Sequence, residues 1–248
     1  MANKPKIAFF DFAGCEGDQL QVANLEEKLI ELLQHVDVVN FREVMTERSD
    51  DYDIAFVEGS ITTPADVERV RAIREKAKLV VALGACATIG GINCMKNFMD
   101  ESVYRSHVYG DMARAYPTID ARPVKAVVKV DAEIHGCPID KNEFLRVTKE
   151  LLLGKTPWLP DYPVCMECKA AGNICRYELG RPCLGMITRA GCGAVCVTEG
   201  AHCWGCRGMA PNANLDAAKY VMIDRAGFSR RQVQDLMRLY NGYTSAPL

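Results

Sequence analysis

The sequence predicts an α/β protein in which an open parallel sheet is followed by an irregular, cysteine-rich segment. The first half alternates short apolar runs with helical patterns, which is typical of a parallel sheet with right-handed crossovers. Eight of the twelve cysteines fall between residues 165 and 206, among many glycines and without clear periodicity. Between the two parts, three prolines within residues 154–163 indicate a linker. We therefore expect one domain at 1–155 and a second at 156–248.

Apolar runs of strand length predict five strands, and helical spacing of apolar residues predicts four helices. The strands are expected at 6–12, 35–40, 53–58, 78–83 and 124–130. The helices are expected at 18–34, 64–77, 141–153 and 229–240. Pro64 suits the first turn of its helix, and Ser229 suits an N-cap. Residues 90–120 carry no clear pattern.

Composition places the chain among ordinary globular proteins. It has 248 residues, of which 49% are hydrophobic and 25% charged, with a formal net charge of −2. This charge leaves no basic surface for nucleic acid, and no apolar run approaches the roughly 20 residues that span a bilayer. The first residues lack the pattern of a signal peptide. We expect a cytoplasmic protein without a membrane span or a nucleic-acid partner.

Four chemically distinctive residues each follow a different predicted strand. They are Cys15, Glu58, Cys86 and Cys137. Parallel strands bring their carboxyl ends to one edge of the sheet, and open α/β sheets bind their ligands at that edge. We expect the four side chains to converge there.

The cysteines are expected to bind metal, because dense cysteines in a reducing compartment are more often ligands than disulfides. Twelve exceed the needs of one zinc site and suit several iron–sulfur clusters, each usually held by four thiolates. The C-terminal segment supplies two sets of four: Cys165, Cys168, Cys175, Cys183, Cys192, Cys196, Cys203 and Cys206. Zinc stays an alternative, although zinc ribbons usually pair two CxxC units and the four central cysteines here are unevenly spaced.

At the sheet edge, Cys15, Cys86 and Cys137 offer three ligands for a further cluster, and a fourth cysteine is missing. Asp18 stands where the partner of a CxxC pair would be, and a carboxylate can bind iron. It also opens a predicted helix with Gln21 three residues later, which is the pattern of a capping box. Spacing alone leaves ligand and helix cap equally open.

Four other residues have candidate roles around these sites. Cys94 lies outside every set, and we expect it to pack as a small hydrophobic residue. His135 and His202 neighbour cluster cysteines and are candidates to hydrogen-bond cluster sulfur rather than to bind iron. Glu58 is either a solvated loop acid or a polar anchor at the sheet edge, and its place beside the cysteine-bearing loops favours the anchor.

The motifs around the N-terminal cysteines carry a family resemblance. They read Ala13-Gly-Cys-Glu-Gly-Asp18, Glu58-Gly-Ser60, Gly84-Ala-Cys-Ala87 and Gly136-Cys-Pro138. With the eight-cysteine tail, they resemble the small subunits of nickel–iron hydrogenases, over most of the chain. The chain is most similar to the cytoplasmic type found in methyl-viologen-reducing, deazaflavin-reducing and sulfhydrogenase complexes. The small subunit of respiratory complex I has a related fold, but it carries adjacent cysteines and lacks such a tail.

The resemblance implies a flavodoxin-like domain followed by a ferredoxin-like domain, with three 4Fe-4S clusters. It implies a proximal cluster on Cys15, Asp18, Cys86 and Cys137, a distal one on Cys165, Cys168, Cys175 and Cys183, and a medial one on Cys192, Cys196, Cys203 and Cys206. Some cytoplasmic relatives carry an aspartate at the position of Asp18, which favours the ligand interpretation. Other types have a histidine where Cys165 stands and lack the counterpart of Cys196.

The implied role is an electron relay without catalytic residues of its own. The nickel–iron site would lie in a separate large subunit, and electrons would pass to a flavoprotein, a ferredoxin-like protein or a heterodisulfide-reductase-type protein. The sequence leaves the terminal acceptor open. Two alternatives remain: a cluster-bearing subunit of a hydrogen-sensing complex, and a zinc-stapled binding module.

Overall fold

The computed structural model describes residues 4–244, and within them the chain forms a five-stranded parallel sheet. The strands are β1 (Lys6–Asp11), β2 (Asp37–Asn40), β3 (Ile54–Glu58), β4 (Leu79–Leu83) and β5 (Ala132–Ile134). Their order across the sheet is β2-β1-β3-β4-β5, and every neighbouring pair is parallel. This is the flavodoxin-like order of a doubly wound sheet, so the predicted fold class is confirmed.

Helices cover both faces of the sheet and continue into the C-terminal part. Around the sheet lie α1 (Gly17–Ala23), α2 (Glu27–Leu33), α3 (Pro64–Lys76), α4 (Gly84–Ile89), α5 (Glu101–Tyr109) and α6 (Lys141–Leu152). They are followed by α7 (Val164–Ala170), α8 (Val195–Thr198), α9 (Leu215–Tyr220) and α10 (Arg230–Asn241). Short 3₁₀ helices span Gly91–Phe98, Gly110–Ala115, Val124–Ala126 and Arg176–Leu179, and a π-helical turn spans Val221–Arg225.

The sheet is buried on both faces, which explains why its strands read as continuous apolar runs. On one face, Phe56 stacks on Phe9 at a ring-centroid distance of 5.0 Å and lies 5.2 Å from Phe144 of α6. On the other face, Val57 of β3 packs with Val70 of α3. All five residues of β3 are buried, so this strand forms the centre of the core.

The predicted strand at 124–130 is wrong. Val124–Ala126 is a 3₁₀ turn, and the fifth strand is Ala132–Ile134. Val124 is fully buried against the α3 face of the sheet, so the apolar run reflects core packing rather than strand pairing. Asp131, directly before β5, is bound to β4: its carboxylate accepts a hydrogen bond from the Val80 amide at 2.9 Å, and its own amide donates to the Val80 carbonyl at 2.8 Å.

Three predicted helices agree with the structure, and one is divided. The helix predicted at 18–34 is interrupted between α1 and α2, where Glu26 adopts φ +57°. Thr63 and Ser229 each close a capping box, at the start of α3 and α10 respectively. The unassigned region 90–120 contains α5 and two 3₁₀ helices.

The C-terminal part builds a small core of its own around α9 and α10. Leu184 and Ile187 of the cysteine-rich loops pack with Met222 and Met237. The same helix α10 also contacts the N-terminal part, where the Arg238 guanidinium lies 4.2 Å from the centroid of the Phe98 ring. The domain limits 1–155 and 156–248 therefore stay a prediction. Among the described residues, no helix is long and apolar enough to cross a membrane.

Candidate iron–sulfur sites

Four loops meet at the carboxyl edge of the sheet, as the strand order requires. The loop after β1 binds the loop after β3, because the amides of Ala13 and Ser60 donate to each other's carbonyls at 3.2 and 2.8 Å. The start of α4 binds the loop after β5, since the Ala85 amide donates to the Gly136 carbonyl at 2.6 Å. The Ile139 amide, which donates to Asp18 Oδ1 at 2.8 Å, links the two pairs of loops. Together these contacts bring the segments that carry Cys15, Cys86 and Cys137 to one place.

Asp18 is not a helix cap. The N-cap of α1 is Glu16, and within the described residues that cap makes no side-chain hydrogen bond. Asp18 is buried inside the helix, and its Oδ1 accepts the Ile139 amide at 2.8 Å. The capping-box interpretation with Gln21 is therefore wrong, and Oδ2 is the Asp18 oxygen that faces the start of α4.

Glu58 supplies the cap that α1 needs. Its Oε1 accepts the Asp18 amide at 3.2 Å, and its Oε2 accepts the Gln19 amide at 2.9 Å. These amides belong to the first turn, whose N–H groups have no partner within the helix. Glu58 is only 2% exposed. The carboxylate of β3 thus fixes the helix that carries Asp18.

Gly84 leaves the room that Asp18 occupies. It has φ +82°, and a Cβ added there would lie 1.6 Å from Asp18 Oδ2. Only glycine combines this left-handed backbone with so close a neighbour. The first residue of α4 is therefore fitted to the carboxylate of α1.

The sheet edge concentrates acidic groups. Burial, followed by the charge of Glu58, raises the pKa of Asp18 to about 7. Burial also raises the pKa of Cys86 to about 12, and in the described part of the chain every charged neighbour that contributes is itself an acid: Cys137, Asp18, Cys15 and Glu58. Ionising these acids side by side is unfavourable when no cation is present. A cationic iron–sulfur core, which binds thiolates, would compensate their negative charges.

The first four cysteines of the C-terminal part form a second group. Cys165 and Cys168 lie three residues apart in α7, and therefore on one helix face. Burial raises the pKa of Cys165 to about 11, with further increases from Cys183, Cys168 and Cys175 in that order. Both thiols lie beside Gly185, since a Cβ added there would lie 3.4 Å from Cys165 Sγ and 3.5 Å from Cys183 Sγ.

The last four cysteines line one cavity. Its wall contains Cys192, Cys196, Cys203 and Cys206, together with Cys137 of the sheet edge. The backbone amide of Cys203 also donates to Cys183 Sγ at 3.3 Å, so this residue lies between the two C-terminal groups. The cavity extends from the sheet edge towards the cysteine-rich loops.

The side chains and the surrounding space at the sheet edge and at the two C-terminal cysteine groups fit iron–sulfur clusters. In a cluster each thiolate binds a different iron atom, so the ligands surround a space rather than a point. Across residues 4–244, no three or more His, Cys, Asp or Glu side chains converge closely enough to hold a single metal ion.

The other candidates have less direct positions. His135 is 3% exposed, and neither ring nitrogen has a hydrogen-bond partner among the described residues. The ring of His202 lies 3.8 Å from that of Trp204, measured between centroids. Cys94 is fully buried and donates to the Ala121 carbonyl at 3.2 Å, as expected for a packing thiol.

Sequence reasoning missed three side chains at these sites. Asn93 Nδ2 donates to the Ala13 carbonyl and to Ser60 Oγ, both at 2.8 Å, and lies 3.8 Å from Cys86 Sγ. Tyr240 of α10 and Arg207 both line the cavity described above. Only Arg207 had a signal in the sequence, since it directly follows a CxxC pair.

Comparison with known proteins identifies the family. The profile of the family described as "NADH ubiquinone oxidoreductase, 20 Kd subunit" matches residues 15–151, which is more than half of the chain. The chain belongs to this family. The matched region includes all four proximal candidates.

Relatives that match along most of the chain are hydrogenase subunits. Sulfhydrogenase 2 subunit delta of Pyrococcus furiosus is 35% identical over 212 residues, covering 85% of this chain and 89% of the relative. A vhu subunit of the F420-non-reducing hydrogenase of Methanocaldococcus jannaschii is 30% identical, covering 96% of this chain and 94% of the relative. These matches confirm the resemblance to hydrogenase small subunits.

A solved structure supports the same assignment. A chain from an NAD⁺-reducing [NiFe]-hydrogenase in the H2-reduced state superposes with a TM-score of 0.58 and 27% identity. The match covers 64% of this chain and 96% of the other. This chain thus shares its fold with a chain of a nickel–iron hydrogenase.

Proposed function

We propose that this chain is the electron-transfer subunit of a soluble, cytoplasmic nickel–iron hydrogenase. The observation that carries the proposal is the convergence of Cys15, Asp18, Cys86 and Cys137 onto one sheet edge from the segments that follow β1, β4 and β5, in a chain whose relatives are hydrogenase subunits. When bound, three 4Fe-4S clusters would relay electrons between the nickel–iron site of a large subunit and a partner redox protein.

The three groups of ligands divide by position. Cys15, Asp18, Cys86 and Cys137 would hold the proximal cluster, Cys165, Cys168, Cys175 and Cys183 the distal one, and Cys192, Cys196, Cys203 and Cys206 the medial one. The shared cavity that joins Cys137 to the last group supports the order proximal, medial, distal.

Asp18 is proposed as an iron ligand through Oδ2. Its Oδ1 is bound to the Ile139 amide, and Glu58 performs the capping for α1, so local structure leaves the other oxygen a separate role. The elevated pKa of Asp18, caused first by burial, indicates a carboxyl that benefits from a bound cation.

Two exposed regions suit the two expected partners. Cys15 and Cys137 are exposed at the sheet edge, where we place the large subunit. The nearby segment 91–115 presents apolar side chains to solvent: Ile92, Met95, Met99, Val103, Val108 and Met112. At the proposed distal site, Cys175 is exposed, and the neighbouring Ile174 and Leu179 are 60% and 49% exposed. A flavoprotein, ferredoxin-like or heterodisulfide-reductase-type subunit would dock there.

Metal analysis of the anaerobically purified complex tests the proposal. We expect about 12 iron atoms and as many acid-labile sulfides in this chain, from three clusters of four. Cys94→Ala should leave this content unchanged, whereas Cys206→Ala should reduce it. Zinc without labile sulfide would instead support a zinc-stapled module. Turnover with a low-potential dye separates a working relay from a hydrogen sensor, which should be nearly inactive.

A further inference from the structure

A buried ion pair joins the two parts of the chain next to the proposed medial site. Arg207 directly follows Cys206, and Glu143 lies in the first turn of α6. Arg207 Nη1 donates to Glu143 Oε2 at 2.8 Å, and Nη2 donates to Oε1 at 2.9 Å. The side chains are 1% and 6% exposed. Two parallel bonds of this kind fix the orientation of the guanidinium.

The same guanidinium binds the backbone on both sides of the junction. Nη1 donates to the His135 carbonyl at 2.6 Å, two residues before Cys137. Nε donates to the Ala190 carbonyl at 2.8 Å, two residues before Cys192. One side chain therefore connects a loop of the proximal site with a loop of the medial site.

Gly191 is required for this arrangement. It has φ +114°, and a Cβ added there would lie 2.4 Å from Arg207 Nη2. The backbone that leads into Cys192 thus passes directly against the guanidinium. No larger side chain fits this position without displacing Arg207.

Stability alone does not account for a charged pair at this place. Burying two charges costs several kcal/mol per ion, and well-packed apolar residues of similar volume often stabilise a protein as much or more. The wall of the cysteine cavity includes Arg207 but, among the described residues, not Glu143. Arg207 is therefore the member of the pair that lies at the wall carrying the thiols, and Glu143 also approaches Arg146 at 3.7 Å.

We propose that Arg207 is a positioning residue that holds the proximal and medial sites in a fixed relative position. Its positive charge also favours the reduced state of the medial cluster, and the negative charge of Glu143 opposes this electrostatic effect. The inference rests on the proposed three-cluster relay. A medial cluster held by Cys192, Cys196, Cys203 and Cys206 would carry one more negative charge when reduced. A fixed positive charge at its wall stabilises that state and raises the reduction potential.

Neutralising Arg207 and neutralising Glu143 should shift the medial reduction potential in opposite directions. In the intact complex, Arg207→Gln should lower the medial potential, and Glu143→Gln should raise it, as measured by redox titration followed by electron paramagnetic resonance. We expect roughly a tenfold change in the ratio of reduced to oxidised cluster at fixed potential, which is about 59 mV for one electron. Arg207→Lys, which keeps the charge, should shift the potential less than Arg207→Gln.

The distal cluster provides an internal control, because its potential should stay unchanged in all three variants. A merely structural role would shift both Gln variants in the same direction or leave both at the wild-type potential, and either result overturns the inference. If Arg207→Gln does not assemble, Glu143→Gln alone decides the sign. Fewer than three clusters in the wild-type chain would contradict the proposed function, whereas three clusters with unmoved potentials would contradict only the role of Arg207.

Discussion

Replacing Asp18 with asparagine separates a ligand from a structural acid, because the two roles predict opposite effects. Asparagine has nearly the same shape and keeps an oxygen for the Ile139 amide. It removes a negative charge from a buried site next to Glu58. A purely structural Asp18 should therefore be replaced without harm, whereas an iron ligand should not.

The expected stabilisation of the cluster-free chain follows from the pKa. Burial, followed by the charge of Glu58, raises the pKa of Asp18 from 3.8 to about 7, a difference of about 3 units. At 1.36 kcal/mol per unit, ionisation costs roughly 4 kcal/mol near neutral pH. The neutral amide makes a weaker hydrogen bond to Ile139, which offsets about 1 kcal/mol. We expect Asp18→Asn to stabilise the cluster-free chain by about 3 kcal/mol at pH 7.

The pH dependence has a definite sign. The unfolded chain releases the Asp18 proton near its ordinary pKa, while the folded chain keeps it up to about 7. The free energy of unfolding of the cluster-free chain should therefore fall as pH rises from about 4 to about 7. Asp18→Asn should flatten this slope, which urea unfolding at several pH values would measure.

In the intact complex the same substitution should have the opposite consequence. The proximal cluster loses one of its four ligands, so iron content and the proximal resonance signal should decrease. Asp140→Asn is the matched control, because Asp140 is a true N-cap and asparagine caps equally well. An unchanged four-iron proximal cluster in Asp18→Asn would refute the ligand role, and a less stable cluster-free chain would refute the electrostatic reasoning.

Three further substitutions test neighbouring features of the proximal site. Asp18→Cys should keep a four-iron cluster and raise its potential, because a carboxylate favours the more oxidised iron; an unchanged potential in redox titration would count against it. Glu58→Gln leaves one α1 amide without its acceptor and should lower the free energy of unfolding by about 1–3 kcal/mol in urea. Gly84→Ala should displace Asp18 and remove only the proximal cluster, whereas Gly154→Ala, with φ +68° but open space, should retain all clusters by iron analysis.

The sheet could be predicted because its strands are buried on both faces. A strand that is buried on both faces consists mostly of consecutive apolar residues, as β3 does. The same signal failed at 124–130, where a valine-rich run with two lysines packs Val124 into the core from a 3₁₀ turn. An apolar run indicates that a segment is buried. Whether the segment forms a strand depends on a neighbouring strand with which it can form hydrogen bonds.

The meeting of the loops that carry Cys15, Cys86 and Cys137 could be predicted from topology, but the contacts that support them could not. Asp18 matches a local capping pattern, yet Glu58 from 40 residues away takes over that task. Arg207 and Glu143 are 64 residues apart and have no shared local pattern. Such pairs depend on the packing of the finished fold, which spacing along the chain does not encode.

Electron paramagnetic resonance of the intact complex, reduced by hydrogen alone, tests the relay itself. We expect hydrogen to reduce three clusters in this chain, with a spin count of about three when they are magnetically resolved. Dithionite should then add no further cluster signal from this chain. A cluster that dithionite reduces and hydrogen does not, or fewer than three clusters under both conditions, would contradict the relay.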